Sequence, residues 1–145
     1  MGQTVSRLEK LAKTDRYLFH GSPIKLRVIE PRQAYNNFQP DGQPAVVVTP
    51  YYEIAVFRAI MLAVKAKLGR QYFSGFSADH GRLSFRANQE TLATAKTGVG
   101  GFVHILDRDD FQKHNSMEHR SLQAVLPVQI IEVNADDLPP NIETV

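Results

Sequence analysis

The 145-residue chain contains no cysteine. That removes disulfides, thiolate metal ligands and a cysteine nucleophile at one stroke, and it suits a reducing cytoplasm. Long apolar runs are also missing. The most apolar stretch, residues 54–64, is interrupted by Arg58 and is too short to span a bilayer. The opening Met-Gly-Gln-Thr-Val-Ser lacks the charged-then-apolar profile of a secretory signal. It matches the Met-Gly-x-x-x-Ser pattern of N-myristoylation only loosely, so a cytoplasmic protein with no membrane partner is expected. Charge of one sign is not concentrated either. The 17 basic and 15 acidic residues are interspersed and leave a net charge of +2. The pI near 9.0 therefore reflects no basic block of the kind that tracks nucleic acid.

Three families of motif are absent as well. His80, His104, His114 and His119 have no metal-ligand spacing among themselves or with a carboxylate on one helix face, so no metal is expected. There is no Gly-x-Ser-x-Gly, no Walker loop and no Gly-x-Gly-x-x-Gly. Repeats, low-complexity segments and linkers are lacking too. With 43% apolar residues, residues 1–145 read as a single domain able to bury a proper core.

What is present alternates between short strands and a few helices. Residues 4–13 place Val5, Leu8, Leu11 and Ala12 on one helical face, a leading helix within residues 1–16. Residues 35–44 are polar and rich in glycine and proline, and they read as a loop that covers a site. Ala45-Val-Val-Val-Thr49 is the clearest strand. Thr49-Pro50 reads as an N-cap with proline at the first helical position, opening a helix to about Leu68 that Gly69 ends. Two strands flank an Asp79-His80-Gly81 turn, and residues 88–96 form a short helix. In the next strand Phe102 and His104 share one face and Val103 and Ile105 the other. A last pair of strands, residues 118–124 and 128–133, is broken near Pro127, and residues 139–145 read as a loose terminus. The fold class is α+β, mainly antiparallel, with helices to one side.

The stretch with chemical promise is Tyr17-Leu-Phe-His20-Gly21-Ser22-Pro23. A short apolar strand is cut by a Gly-Ser-Pro turn, so His20 stands at the strand's end. Gly21 lets a ligand approach its backbone, Ser22 adds a hydroxyl, and Pro23 stiffens the exit. Taken alone, these residues fit a surface turn with an incidental histidine better than a site, since short motifs match by chance often. Arg32 follows on irregular chain, either as a solvated arginine or as a bidentate phosphate ligand.

Three pieces together resemble the ADP-ribosyltransferase-like superfamily, on the side of the poly(ADP-ribose) polymerases and the RNA 2′-phosphotransferases. They are the strand with His20-Gly21-Ser22, the strand Ala45-Val-Val-Val-Thr-Pro with its aromatic-bearing helix, and Glu118-His-Arg-Ser-Leu-Gln-Ala-Val-Leu-Pro-Val-Gln-Ile-Ile-Glu-Val. The order and spacing span residues 17–138 and resemble a small bacterial or phage member. The resemblance implies split antiparallel sheets with flanking helices. It also implies a nucleotide-binding transferase of the glycosyltransferase type that uses NAD as substrate, releases nicotinamide, and modifies a protein, nucleic-acid or small-molecule acceptor. Catalysis would rest on Glu118, at the nicotinamide-ribose 2′-hydroxyl, and on His20, at the adenosine ribose; Glu132 is the rival carboxylate. Gly21 would hold the nicotinamide amide, Ser22 the amide or a ribose, and Arg32 the pyrophosphate. Tyr51, Tyr52 or Phe57 would stack on nicotinamide. The alternatives are an RNA 2′-phosphotransferase-type enzyme and an inactive nucleotide-binding module.

Overall fold

Helix α1 (Gln3–Lys13) and helix α2 (Tyr52–Leu68) differ in how much of their surface is apolar, and this decides where each sits. In α1 only Leu8 is fully buried, with Leu11 and Ala12 beside it against the core. In α2 the apolar residues go round the helix, and Ile54, Ala55, Val56, Phe57, Ala59, Ile60, Met61 and Val64 are all buried. A helix apolar on nearly every side belongs in the interior, and α2 is the centre of the domain. The computed structural model describes residues 2–36 and 38–145.

Around α2 stand three small sheets and a hairpin. Strand β1 (Tyr17–Ser22) is followed by the hairpin β2 (Tyr35–Asn36) and β3 (Gln39–Pro40), then β4 (Val46–Val48). After α2 come β5 (Ser74–Asp79), β6 (Arg82–Ala87), helix α3 (Gln89–Ala95) and β7 (Gly100–Asp107). The chain ends with β8 (Gln112–Lys113), β9 (His119–Ser121), β10 (Gln129–Asn134) and β11 (Ile142–Thr144). The sheet orders are β1-β7-β10, β4-β9-β8 and β11-β6-β5. All pairs are antiparallel except β11 with β6. This is an α+β domain, and among the described residues no helix is long and apolar enough to cross a membrane.

Side-chain alternation sorts the first sheet. Phe19, Val103, Ile105, Ile131 and Val133 face α2 in the larger core. Leu18 and Leu106 face the other way, into a smaller core with Ile29, Val46, Val48 and Val125. The β5–β6 turn has His80 at φ 52 and Gly81 at φ 80, the left-handed pair that a two-residue hairpin needs.

Several expectations change. Thr49 does not cap α2 through a helical N–H. Its hydroxyl accepts from Tyr51 N–H at 3.1 Å in a local turn, and the helix starts at Tyr52. Residues 35–44 are not all loop, because β2 and β3 pair within them; Asn37 lies outside the described residues. The last two strands are not partners: β9 joins β4, while β10 joins β7. Residues 139–145 are not loose, since β11 adds a parallel strand to the edge of β6 and the Val145 N–H bonds to Ala87 O at 3.1 Å. An unpaired sheet edge is a strong template for such an addition.

Two glycines set how close α2 lies to the first sheet. A Cβ on Gly21 would fall 1.9 Å from Ala55 O, and one on Gly101 would fall 2.8 Å from Ala59 O. The obstacles are helix backbone, which cannot rotate away as a side chain can. Gly21→Ala should therefore cost at least about 3 kcal/mol, the upper end for overpacking. Gly2→Ala, whose added carbon meets nothing nearer than 3.7 Å, should cost less than about 1 kcal/mol. Urea unfolding of both variants checks this, and equal losses would refute it.

Candidate functional site: a cleft where two sheets part

Strands β1 and β4 touch at one place. Phe19 and Thr49 exchange both backbone hydrogen bonds, Phe19 N–H to Thr49 O at 2.8 Å and Thr49 N–H to Phe19 O at 2.9 Å. In an antiparallel ladder the next bonded pair would be Gly21 with Val47. The strands separate before that pair forms. Val47 O is satisfied instead by the His20 ring, whose Nδ1 lies 3.1 Å away. A carbonyl only accepts, so Nδ1 carries the proton and Nε2 keeps a free lone pair. The alternation that turns Phe19's N–H and C=O towards β4 turns those of Gly21 the same way, into the gap.

The gap widens into a cleft of about 690 Å³, within the range of small-molecule sites. His20, Gly21 and Ser22 line it from β1, Arg32 and Tyr35 from the following segment, and Glu118 and Arg120 from the start of β9. Helix α2 contributes Ile54, Ala55 and Arg58, and β5 contributes Phe76. The missing side chain of Gly21 makes room for α2 rather than for a ligand, and its backbone faces the cleft because the strands diverge.

Glu118 is fixed at both ends. Its carbonyl accepts from His114 N–H at 2.9 Å and Asn115 N–H at 3.1 Å, while its own N–H donates to Asn115 Oδ1 at 2.8 Å. Its carboxylate Oε2 accepts from Arg120 Nη2 at 3.0 Å and Nε at 3.2 Å. The same Nη2 reaches Asp41 Oδ2 at 3.3 Å. Burial acts to lower the Arg120 pKa, but the hydrogen bonds to Glu118 and then Asp41 outweigh it, and the net direction is up. Glu132 is elsewhere, exposed on β10 opposite Phe102.

A second histidine lies behind the cleft. His104 is fully buried beside His20, with ring centroids 5.8 Å apart. Leu26 N–H donates to its Nε2 at 2.9 Å, so Nδ1 is the protonated nitrogen and donates to His20 O at 3.1 Å. A second proton on the ring would cost the Leu26 bond. His104 is thereby held neutral, and it pins the segment that walls the cleft. Burial lowers its pKa, against a smaller raising effect from the bond to His20. For His20, burial again lowers the pKa most; the Val47 bond opposes, and His104, Arg58 and Arg32 add to the lowering.

The proposed stacking residues are not on this cleft. Tyr51 and Tyr52 pack at the margin of the larger core, Tyr52 edge-on to Phe19 at 6.4 Å. Phe57 is buried with its ring 4.8 Å from Phe85. Phe57 is turned into the interior by its place on α2, while Tyr51 and Tyr52 stay half-buried at the helix start. Of the aromatic residues lining the cleft, Phe19 is fully buried in the larger core, which leaves Tyr35 and Phe76 as the rings open to a ligand.

Sequence reasoning missed Arg58, Arg120, Asp41, His104 and Phe76. Two carried a legible signal: Glu118 and Arg120 are two apart at a strand start, hence on one face, and Arg58 is the one charge in the apolar run of α2. His104 and Phe76 gave none, since each depends on which strands become neighbours. Among the described residues, no group of three or more His, Cys, Asp or Glu could hold a metal ion. No family model matches the chain, and no curated protein or solved structure matches it.

Histidines with lowered folded pKa values make stability depend on pH. Unfolded, His20 and His104 bind protons near pH 6.5; folded, they bind them only at lower pH. Between those limits the unfolded chain holds more protons, so stability present above about pH 6.5 is lost as pH falls towards the folded values. Urea midpoints should drop from about pH 7 to about pH 5, with the His104 ring staying in its Nδ1–H form by NMR. A flat profile, or His104 titrating with an ordinary histidine pKa, would refute the assignment.

Proposed function

We propose that the protein is an ADP-ribosyltransferase-like enzyme that breaks the nicotinamide–ribose bond of NAD and passes ADP-ribose to an acceptor or to water. The observation that carries this reading is the single cleft gathering His20, the Gly21 backbone, Arg32 and Glu118 from chain-distant segments. Each offers what a part of NAD requires. Arg32 and Arg58 offer cations to the pyrophosphate. Neutral His20 offers Nε2 as an acceptor for a ribose hydroxyl, and Gly21 offers an N–H and a C=O to the carboxamide. Tyr35 and Phe76, rather than Tyr51, Tyr52 or Phe57, offer the aromatic faces.

The chemistry assigns Glu118 its role. As the bond breaks, nicotinamide leaves with the bonding pair and the ribose carbon becomes cationic; water or an acceptor then attacks and gives up a proton. A fixed carboxylate beside the ribose hydroxyls stabilises charge that exists only in that transition state. Arg120 occupies Oε2 alone, which leaves Oε1 for the 2′-hydroxyl.

Nicotinamide release from NAD, with and without protein, RNA or DNA acceptors, is the test. Glu118→Gln should lower kcat by about 10²–10³ with KM little changed, and Glu132→Gln should leave both unchanged. Full activity in Glu118→Gln overturns the role. His20→Ala should weaken NAD binding from several-fold to over a hundred-fold, the range for losing one hydrogen bond at a partly buried partner, while His114→Ala, which keeps the backbone N–H that holds Glu118 and removes an exposed side chain that does not line the cleft, should not. Three arginines on one cleft also favour a second reading, NAD-consuming removal of an RNA 2′-phosphate, which 2′-phosphorylated RNA as acceptor distinguishes. NAD bound without release under any of these conditions identifies a nucleotide-binding module.

A further inference from the structure

A second cleft, of about 460 Å³, lies between α2 and the edge strand β5. Arg58, Lys65 and Arg86 line it, together with Tyr72, Ser74 and Phe76, and no acidic residue does. Among the described residues none of these three cations is paired with a carboxylate. This is unusual in a chain with 15 acidic residues. Like charges brought together without a counter-charge repel, and such an arrangement is stabilised when an anion occupies it.

We infer that this second cleft is a phosphate-binding subsite, built by Arg58, Lys65, Arg86 and the Tyr72–Ser74 hydroxyl pair. Arg86 lies flat over Gly75, its guanidinium within 2.9 Å of where a Cβ would be, so the glycine makes the room the fork needs. Tyr72 and Ser74 hydrogen-bond to each other through their hydroxyls. One O–H donates to the other oxygen, and the second O–H is left to donate outward. A fork, a point charge and a hydroxyl donor are the groups that recognise a phosphate. Beside them, Phe73 is 44% exposed, and Phe76 forms part of the wall. Aromatic rings next to phosphate ligands suit a nucleotide or a single nucleic-acid strand, whose bases stack while its backbone is neutralised.

The two clefts share Arg58, Leu62 and Phe76, so a phosphate in the second lies beside whatever fills the first. That the second cleft receives a phosphorylated acceptor rests on the proposed function. That it binds phosphate does not, and the experiment reads binding alone.

The test is fluorescence anisotropy of a labelled short oligothymidine at several salt concentrations, using wild type, Lys65→Gln and the double variant Lys65→Gln/Arg86→Gln. Three contacts to a single strand contribute roughly −2 to the slope of log affinity against log salt, and removing two should bring the slope roughly 1.4 closer to zero. Lys65 is exposed, so the single variant folds regardless and should shift the slope by roughly 0.7. Pyrophosphate should compete. If it does so as well as the strand at equal phosphate, the source is a small phosphorylated molecule; if the strand is much tighter, the source is nucleic acid. Binding unchanged in Lys65→Gln and in the double variant overturns the inference, as does equal affinity for an uncharged methylphosphonate strand or no binding of either probe. NAD turnover in these variants leaves the inference untouched, and their loss of phosphate binding leaves the NAD reading untouched.

Discussion

The constraint on which the rest depends is the distance between helix α2 and the sheet β1-β7-β10. Gly21 and Gly101 lie on the helix-facing side of adjacent strands, and each meets helix backbone where a Cβ would be. Any side chain at either place would lift α2 from the sheet. The helix would then carry Ile54, Ala55 and Arg58 away from the cleft floor and open a gap in the core around Ala59. Buried helix and buried strand thus fix each other, and every residue on the far side of β1 inherits that precision. His20 is one residue from Gly21, so its ring projects from the opposite face of the same rigid strand.

The cleft exists because a ladder is left unfinished, and unfinished ladders have to be accounted for. A buried carbonyl without a donor costs about as much as a lost hydrogen bond. Val47 O would be such a group where β1 and β4 part, and the His20 ring supplies its donor. His104 does the same for Leu26 N–H and adds a bond to His20 O. The His20 imidazole acts as a replacement rung where the strands separate, the His104 imidazole ties the following segment to the sheet, and the N–H and C=O of Gly21 are left facing the cleft. Each requires one tautomer, and both are the Nδ1–H form. In His20 this commits Nδ1 to structure and leaves Nε2 for a ligand; in His104 both nitrogens are committed. Two histidines facing each other across one strand pair therefore differ in what they have to offer, though their residue type is the same.

Much of this was legible in the sequence where the signal was local. The periodicity of residues 4–13 and of α2, the turn around His80-Gly81, and the alternation of Phe102 and His104 against Val103 and Ile105 all follow from neighbouring residues. Illegible were the features set by which strands become neighbours. Nothing in the Tyr51–Tyr52–Phe57 spacing shows that Phe57 is enclosed by Phe76 of β5 and Phe85 of β6 or that Tyr52 meets Phe19 of β1, because which strands cover α2 is a long-range choice. The pairing of β9 with β4 instead of β10 depends on the register of His119 with Val48, a long-range choice. Glu118 had Glu132 as its rival, since both are carboxylates near strands. Only the sheet to which each strand belongs separates the one that faces the cleft from the one that faces solvent.

The charge arrangement of the cleft bears on what it can hold. Arg120 sits between Glu118 and Asp41, so one cation is shared by two carboxylates and the trio keeps a net negative charge. Had Arg120 paired with Glu118 alone, the carboxylate would be neutralised and of little use to a developing cation. Sharing orients Glu118 through Oε2 and leaves its Oε1 open. Arg32 and Arg58, from other elements, line the same cleft, and among the described residues neither is paired with a carboxylate. A ligand that satisfies both has a cationic part for the Glu118 trio and an anionic part for the arginines. Under the proposed function those are the pyridinium ring with the ribose carbon that becomes cationic, and the pyrophosphate. A simple sugar phosphate would leave the negative trio without a partner, and a plain cation would leave the arginines without one.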